Sequence, residues 1–284
     1  MFDLDPYLAR IHLPLAPTPD PDGLAILQRA HRLAIPFENL DVALGRGIRI
    51  DSDSVFAKLV TARRGGYCFE QGRLFLDAMA ALGFAARPLF ARVWLGADGQ
   101  VPPTTHTLAL VTFGNARGHG RDWIADAGFG GSYAPPMPLA DGEEAEAPDG
   151  ARFRLARDPM FGWTLSRNGD AASTDGRVDA RADDGWQRQY SFTTDPVYPS
   201  DLALSNHWVA TAAESRFVRH RIVSIPLPHG FATLTDTLYR RRNANQAVEA
   251  VIDDPRVYRM RLGMIFGIDL DPQEIAGLKL FGAA

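Results

Sequence analysis

At 284 residues, with 46% hydrophobic and 23% charged positions, the chain has a globular composition and a core large enough to divide into two or three lobes. Its 30 Lys and Arg are outnumbered by 34 Asp and Glu, for a formal net charge of −4, which argues against nucleic acid as a partner. The opening Met1-Phe2-Asp3-Leu4-Asp5-Pro6 lacks a basic then apolar stretch, and no apolar run approaches the roughly 20 residues that span a bilayer, so a cytoplasmic protein without a membrane partner is expected.

The first 85 or so residues read as helical. Leu24, Leu27, Ala30, Leu33 and Ala34 recur at helical spacing after a Pro- and Asp-rich lead-in, and this helix should stop before Pro36. A second helix is predicted over 54–62, broken by Gly65-Gly66. A third starts around Cys68, with Phe69, Leu74, Phe75, Ala78, Met79 and Leu82 on its buried side and Gly83 near its end.

From Ala85 the pattern turns to strands, predicted over 87–95, 106–113 and 122–126, with turn-rich segments at 96–99 and 114–120. Further strands at 153–155 and 163–165 precede turns at Asn168-Gly169 and Asp175-Gly176, a spacing that fits a small antiparallel sheet or barrel. The acidic segment 141–150 reads as a solvated loop. Beyond about residue 190, strands such as 217–223 mix with one late helix over 245–252. The run Arg240-Arg241-Arg242 is short, at most a local patch for a phosphate group.

Cys68 is the only cysteine, so no internal disulfide forms, no zinc site of several thiolates is within reach, and no metal site is assigned. It follows two glycines and opens an amphipathic helix, where unsatisfied N–H groups and the positive dipole end favour an anion; ionisation more ready than usual is therefore expected. Arg63 and Arg64 add to the local potential. The competing reading is a packed, inert thiol, the commoner fate of a lone cysteine.

A catalytic thiol needs a base, and the base needs an orienting group. The candidates are His12, His31, His106, His119, His207, His220 and His229. His31 fits a surface or satisfied position in a helix, and His119 a glycine-rich turn. His106 opens a strand, and Asp126 ends the next one. If the two strands form a hairpin that pairs even positions with even, diagonal neighbours lie about 7–8 Å apart on one face, within reach of a His–Asp hydrogen bond. The alternative is a histidine capping a strand and an aspartate closing a turn. Phe129, between glycines, is a candidate pocket wall.

These segments resemble the arylamine N-acetyltransferases over most of the chain. Ile35-Pro-Phe-Glu-Asn39 resembles that family's early signature, Arg64-Gly-Gly-Tyr-Cys-Phe-Glu70 its nucleophile motif, Thr105-His106 its histidine site and Asp126-Ala-Gly-Phe-Gly-Gly131 its aspartate motif. Asp201-Leu-Ala-Leu-Ser-Asn206 and Ser215-Arg-Phe217 are similar to its looser third-domain signature.

The resemblance implies an α+β fold with a papain-like cysteine-enzyme core. A helical domain (1–84) would carry the nucleophile, a β-barrel domain (85–190) the His and Asp, and an α/β lid (191–284) would follow. It implies Cys68 as acetylated nucleophile, His106 as base and Asp126 as orienting group. Phe37, Tyr67, Phe69, Phe129, Gly130, Asn206 and Ser215 are the candidate substrate-binding positions, the last two equally readable as turn-closing residues. No bound cofactor is implied; acetyl-CoA would be co-substrate and an aromatic amine or hydrazine the acceptor, in a monomer or a homodimer.

One departure stands out: the family usually has asparagine four residues after the cysteine, and this chain has Gly72. The loss of that side chain would leave room for a larger ligand, which gives some weight to an amide synthase closing a macrolactam from a polyketide acyl chain. A transglutaminase-like cysteine hydrolase and a non-enzymatic binding module are the other readings.

Overall fold

The computed structural model describes residues 2–97, 99–114, 121–171, 174–180, 182, 184–243 and 246–282. Most of the turn expected at 114–120, with His119, lies outside them. The chain begins with α1 (Leu4–Arg10) and α2 (Pro21–Ala34). Asp20 caps α2 by accepting from the Gly23 amide at 2.8 Å, Pro21 occupies its first turn, and Ile35 before Pro36 is already extended. β1 (Phe37–Glu38), α3 (Leu40–Ala43), α4 (Ser52–Phe56) and a π-helical turn (Ala57–Thr61) lead to α5 (Cys68–Ala81). The helix starts at Cys68 because the Glu70 carboxylate reaches back to the Tyr67 amide at 3.1 Å.

The middle of the chain supplies β2 (Ala85–Val93), β3 (Thr104–Phe113), β4 (Arg121–Ala125), β5 (Met137–Pro138), β6 (Glu144–Glu146), β7 (Arg152–Asp158), β8 (Gly162–Asn168) and β9 (Trp186–Phe192). They form one antiparallel sheet in the order β5-β4-β3-β2-β9-β8-β7-β6. The segment between β5 and β6 bridges its two ends: Leu139 N donates to Asp122 O at 2.8 Å, and Gly142 N to Leu155 O at 2.9 Å. The sheet is thereby curled into a nearly closed barrel around Leu89, Leu108, Leu110, Phe153, Leu155 and Leu165. The acidic segment 141–150 is not wholly loop, since it contributes edge strand β6 and buries Ala147.

β3 is buried on both faces, and its alternation separates two cores. Leu108 and Leu110 point into the barrel, while Ala109 and Val111 join the helical core with Leu74, Phe75 and Ala78 of α5. The strand is therefore the common wall of helix and barrel.

The rest comprises α6 (Pro199–Thr211), α7 (Arg216–Arg219), β10 (Ile222–Leu227), β11 (Gly230–Thr235), β12 (Leu238–Asn243), β13 (Ala247–Val251), α8 (Pro255–Phe266) and α9 (Pro272–Gly277). The second sheet runs β1-β10-β11-β12-β13, so the early strand β1 is stitched to the late β10. Two expectations fail here. The helix over 245–252 is strand β13, whose β-branched valines and Glu249, paired with Arg240 at 2.7 Å, suit an exposed edge. The strand over 217–223 begins instead as α7, because the Ser215 hydroxyl accepts from the Phe217 amide at 3.2 Å and starts a turn of helix. In the basic run on β12, Arg240 pairs with Glu249 and Arg242 with Asp170 at 2.7 Å. No helix among the described residues is long and apolar enough to cross a membrane.

Two buried polar networks brace the loop before α5. In the first, Lys58 bridges Asp41 and Glu70, each at 2.8 Å, and Arg64 bridges Glu38 at 2.7 Å and Asp41 at 3.2 Å. In the second, His31 joins Tyr7 Oη at 2.9 Å to Gln71 Oε1 at 2.6 Å, and Gln71 Nε2 donates to Pro36 O at 2.9 Å.

Burial sets opposite pH responses in the two. It pushes His31 down to about 3 from 6.5, against the Gln71 hydrogen bond, and pushes Glu70 up to about 7 from 4.5 despite Lys58. As pH falls from 7 to 5 the unfolded histidine gains a proton that the folded one refuses, which costs about 2 kcal/mol of stability. Folded Glu70 gains a proton over the same interval and returns about as much. Wild-type stability should therefore be nearly flat from pH 7 to pH 5. Glu70→Gln should lose about 2 kcal/mol across it, measured by urea unfolding at both values. A parallel pair of slopes would show that these groups do not titrate as their burial requires.

Candidate active site

Three elements bring Cys68, His106 and Asp126 together. Cys68 opens α5, His106 lies near the start of β3 on its barrel face, and Asp126 follows β4 directly. The β3–β4 ladder pairs Leu110 with Ile124 and Thr112 with Asp122, even with even, so Asp126 falls diagonal to His106. The predicted contact is present: His106 Nε2 and Asp126 Oδ2 are 2.7 Å apart, with both residues buried. The Cys68 thiol donates to Thr105 O at 3.6 Å, beside His106.

Asp126 is held at both carboxylate oxygens and at its amide. Its Oδ1 accepts from the Gly128 and Phe129 amides at 2.9 Å each, and its own amide donates to Gln28 Oε1 at 2.7 Å. Burial acts to raise the carboxyl, but His106 and the charge of Arg32 outweigh it and hold it below the ordinary carboxylate range. Arg32 is itself clamped by Ala127 O at 3.2 Å and Ser132 O at 2.9 Å. The His106 ring is enclosed by Phe129 and Tyr190, with centroids 5.1 Å away in both cases.

The thiol departs from its expected ionisation. Burial pushes Cys68 well up, the Asp126 charge adds to this, and the amides of Thr107, Phe69 and Cys68 only partly oppose them. The helix start contributes in the anticipated direction, but desolvation outweighs it. A thiolate here needs a cation beside it.

Cys68 and His106 line a cavity of about 410 Å³. Of the other candidate positions, Phe37, Phe129, Gly130 and Ser215 line it too, whereas Tyr67, Phe69 and Asn206 do not. Tyr67 is fully buried and its hydroxyl donates to the Asn206 side chain, whose Nδ2 donates to Ile48 O at 3.1 Å. Phe69 packs edge-on against Tyr67 at 5.7 Å. These three tie α5 to α6 behind the cavity. Ser215 lines the cavity and also holds α7, its Oγ donating to Val209 O at 2.5 Å.

Glycine matters at two positions. A Cβ on Gly128 would lie 2.9 Å from Cys68 Cα, so the aspartate motif approaches the thiol only without a side chain there. Gly72 does not border the cavity, and a Cβ there would meet Thr107 Cγ2 at 3.1 Å. The missing asparagine therefore leaves room that Thr107 fills, not room for a larger ligand. Gly72→Ala should change acceptor KM less than twofold, with a stability change within about 1 kcal/mol, as helix propensity offsets the Thr107 contact. A shift in acceptor preference, read from steady-state rates on small and bulky amines, would contradict this placement.

Several residues escaped the sequence reading. Gln28 and Arg32 are buried on α2, and Gln71 is buried on α5, while His31 is the satisfied helix residue that one of its two readings expected. The signal for Gln28 was available, because it falls on the apolar stripe of Leu24 and Leu27. Asp175, Arg177 and Arg216 also line the cavity, from segments far apart in the chain.

Comparison with known proteins identifies the chain as an acyltransferase. The N-acetyltransferase family model matches residues 20–275. The arylamine N-acetyltransferase / N-hydroxyarylamine O-acetyltransferase of Salmonella typhimurium is 35% identical over 272 residues, 94% of this chain and 89% of its own length. A solved arylamine N-acetyltransferase from Salmonella typhimurium matches with TM-score 0.84 and 33% identity, covering 97% of each chain. The Mycobacterium marinum arylamine N-acetyltransferase in complex with CoA matches at TM-score 0.85 and 28% identity, covering 99% of this chain and 100% of the other. The chain belongs to the arylamine N-acetyltransferase family.

Proposed function

We propose that this protein moves an acetyl group from acetyl-CoA to an aromatic amine or hydrazine through a thioester on Cys68, in the cytoplasm. The observation that carries the proposal is the buried His106–Asp126 pair at 2.7 Å, whose histidine lines the same cavity as the chain's only thiol. In the proposed division of labour, the helical lobe (1–84) supplies the nucleophile, the barrel (85–190) the base and its orienting group, and the remainder (191–284) the rest of the wall. The names of the relatives, and the CoA complex of the Mycobacterium marinum protein, support the donor and acceptor class.

His106 gives its Nε2 to Asp126, so Nδ1 is the ring nitrogen left to accept the thiol proton. Transfer produces a thiolate beside an imidazolium, which supplies the cation that burial of Cys68 demands; Asp126, held ionised, stabilises the imidazolium. The thiolate attacks the acetyl carbonyl. The CoA sulfur leaves and takes the proton from His106, and the acetyl group stays on Cys68. A neutral amine then attacks the thioester, loses a proton to His106 and departs as the amide, which regenerates the thiol. Phe129 and Tyr190 around His106 keep water from the imidazole and limit wasteful hydrolysis.

Intact-mass measurement after mixing with acetyl-CoA and no amine tests this. The wild type should gain one acetyl group, lose it on addition of an arylamine, and Cys68→Ala should gain none. Equal acetylation of Cys68→Ala would overturn the proposal.

A further inference from the structure

One part of the cavity wall is charged, and its charges do not balance. The Asp175 carboxylate, almost wholly buried, accepts through Oδ2 from Arg177 Nε at 2.7 Å and from Arg216 Nη1 at 3.0 Å. One carboxylate thus serves two guanidinium groups, and Asp236 acts on Arg216 only through its charge. Arg177 Nη1 is used by Leu95 O at 3.2 Å. Arg177 Nη2 and Arg216 Nε and Nη2 have no acceptor among the described residues, yet the two side chains remain 22% and 26% exposed in the cavity wall. Arg219, whose Nε and Nη2 go to Ala213 O and Glu214 O, and the acidic Glu214 add one charge of each sign to the same wall. Burial, and then the neighbouring Arg177, push Arg216 down to about 10 against the opposing charges of Asp175 and Asp236.

The rest of the lining differs in kind. Phe37, Val93, Leu95 and Phe129 line the same cavity, and of these Phe129 packs on His106 and Leu95 O accepts from Arg177. The cavity therefore combines the thiol, an apolar lining and unspent, fork-shaped donors. Guanidinium forks of this type match phosphate oxygens in geometry as well as charge.

We infer that Arg177 and Arg216, held apart and aimed by Asp175, form the subsite that takes the phosphate groups of the acyl donor. The inference rests on the proposed use of acetyl-CoA. Asp175 is the positioning residue: it spends one donor of each arginine and fixes the direction of the others. A structural role alone, tying the turn at 174–177 to α7, would use one donor of each arginine and leave the others to solvent.

The test measures the rate of Cys68 acetylation against donor concentration, by intact mass, for acetyl-CoA and for S-acetylpantetheine, which presents the same thioester without phosphates. For Arg177→Ala and Arg216→Ala the half-saturating acetyl-CoA concentration should rise about tenfold or more. S-acetylpantetheine should respond less than twofold, and Arg216→Lys should recover part of the loss. Added salt should weaken the wild type's preference for acetyl-CoA.

Equal losses with both donors, or unchanged acetyl-CoA saturation, would overturn the inference. So would a defect confined to carboxylate-bearing acceptors such as 4-aminobenzoate, with aniline and both donors unaffected. If neither donor acetylates wild-type Cys68, the thioester proposal itself fails and the subsite falls with it. If the wild type is acetylated and the variants do not discriminate, only the subsite falls.

Discussion

Asp126→Asn lowers the rate of acetyl transfer by about 10³- to 10⁴-fold and leaves the fold in place. The amide oxygen can keep the two hydrogen bonds from Gly128 and Phe129, so the turn after β4 survives. The amide nitrogen must then point at His106 Nε2, where the carboxylate oxygen now sits at 2.7 Å. An N–H donor there demands an unprotonated Nε2, which places the proton on Nδ1 and removes the acceptor that the thiol needs. The imidazolium also loses the negative charge that stabilises it. Burial already pushes Cys68 up, so no residual thiolate rescues the first step. Thioester formation under single-turnover conditions, alongside thermal unfolding, checks this. A loss of less than tenfold in a folded variant would show that Asp126 does not set the His106 tautomer.

Lys58→Met destabilises the protein by about 3–5 kcal/mol, the usual scale for removing one partner from a buried charge network. The side chain is 17% exposed and bridges Asp41 and Glu70, whose side chains are 11% and 2% exposed. Asp41 retains Arg64 at 3.2 Å, but Glu70 is left with only the Tyr67 amide. Burial already pushes Glu70 up to about 7, so without Lys58 the carboxyl holds a proton more firmly. The loss should therefore be larger at pH 8 than at pH 6, read from urea unfolding at each value. Because Glu70 also holds the amide before Cys68, the variant should acetylate more slowly even where it remains folded. A uniform loss at both pH values would place the damage in packing and not in charge.

Local chemistry made some of this legible before any coordinates. The glycine pair and the amphipathic spacing after it mark the start of α5 at Cys68, and a hairpin pairing even positions with even, the register that the β3–β4 ladder shows, puts His106 and Asp126 on one face. What failed was decided by distant partners. The segment containing Val248 and Val251 reads as helix in isolation, yet lies flat as β13 because β12 offers an unpaired edge. Tyr67, Phe69 and Asn206 belong to the signature segments but face one another behind the cavity. Asp175 reads only as a turn residue, Arg177 belongs to no motif, and Arg216 sits in the looser third-domain signature without an assigned role. Their meaning arises only where the turn after β8 meets α7, a contact that spacing along the chain does not encode.

The strand order has a further consequence, for biosynthesis. β2 lies between β3 and β9, with Ala91 opposite His106 on one side and Phe192 on the other. A chain emerging from the ribosome can form the β2–β3–β4 meander early, but the second edge of β2 stays open until residue 192 has been synthesised. During that interval Tyr190 has not yet covered His106, and α6 and α7 have not reached the cleft. The thiol is then exposed to oxidants and to neighbouring chains. Carrying no second cysteine, the nascent protein has no internal disulfide in which to be trapped.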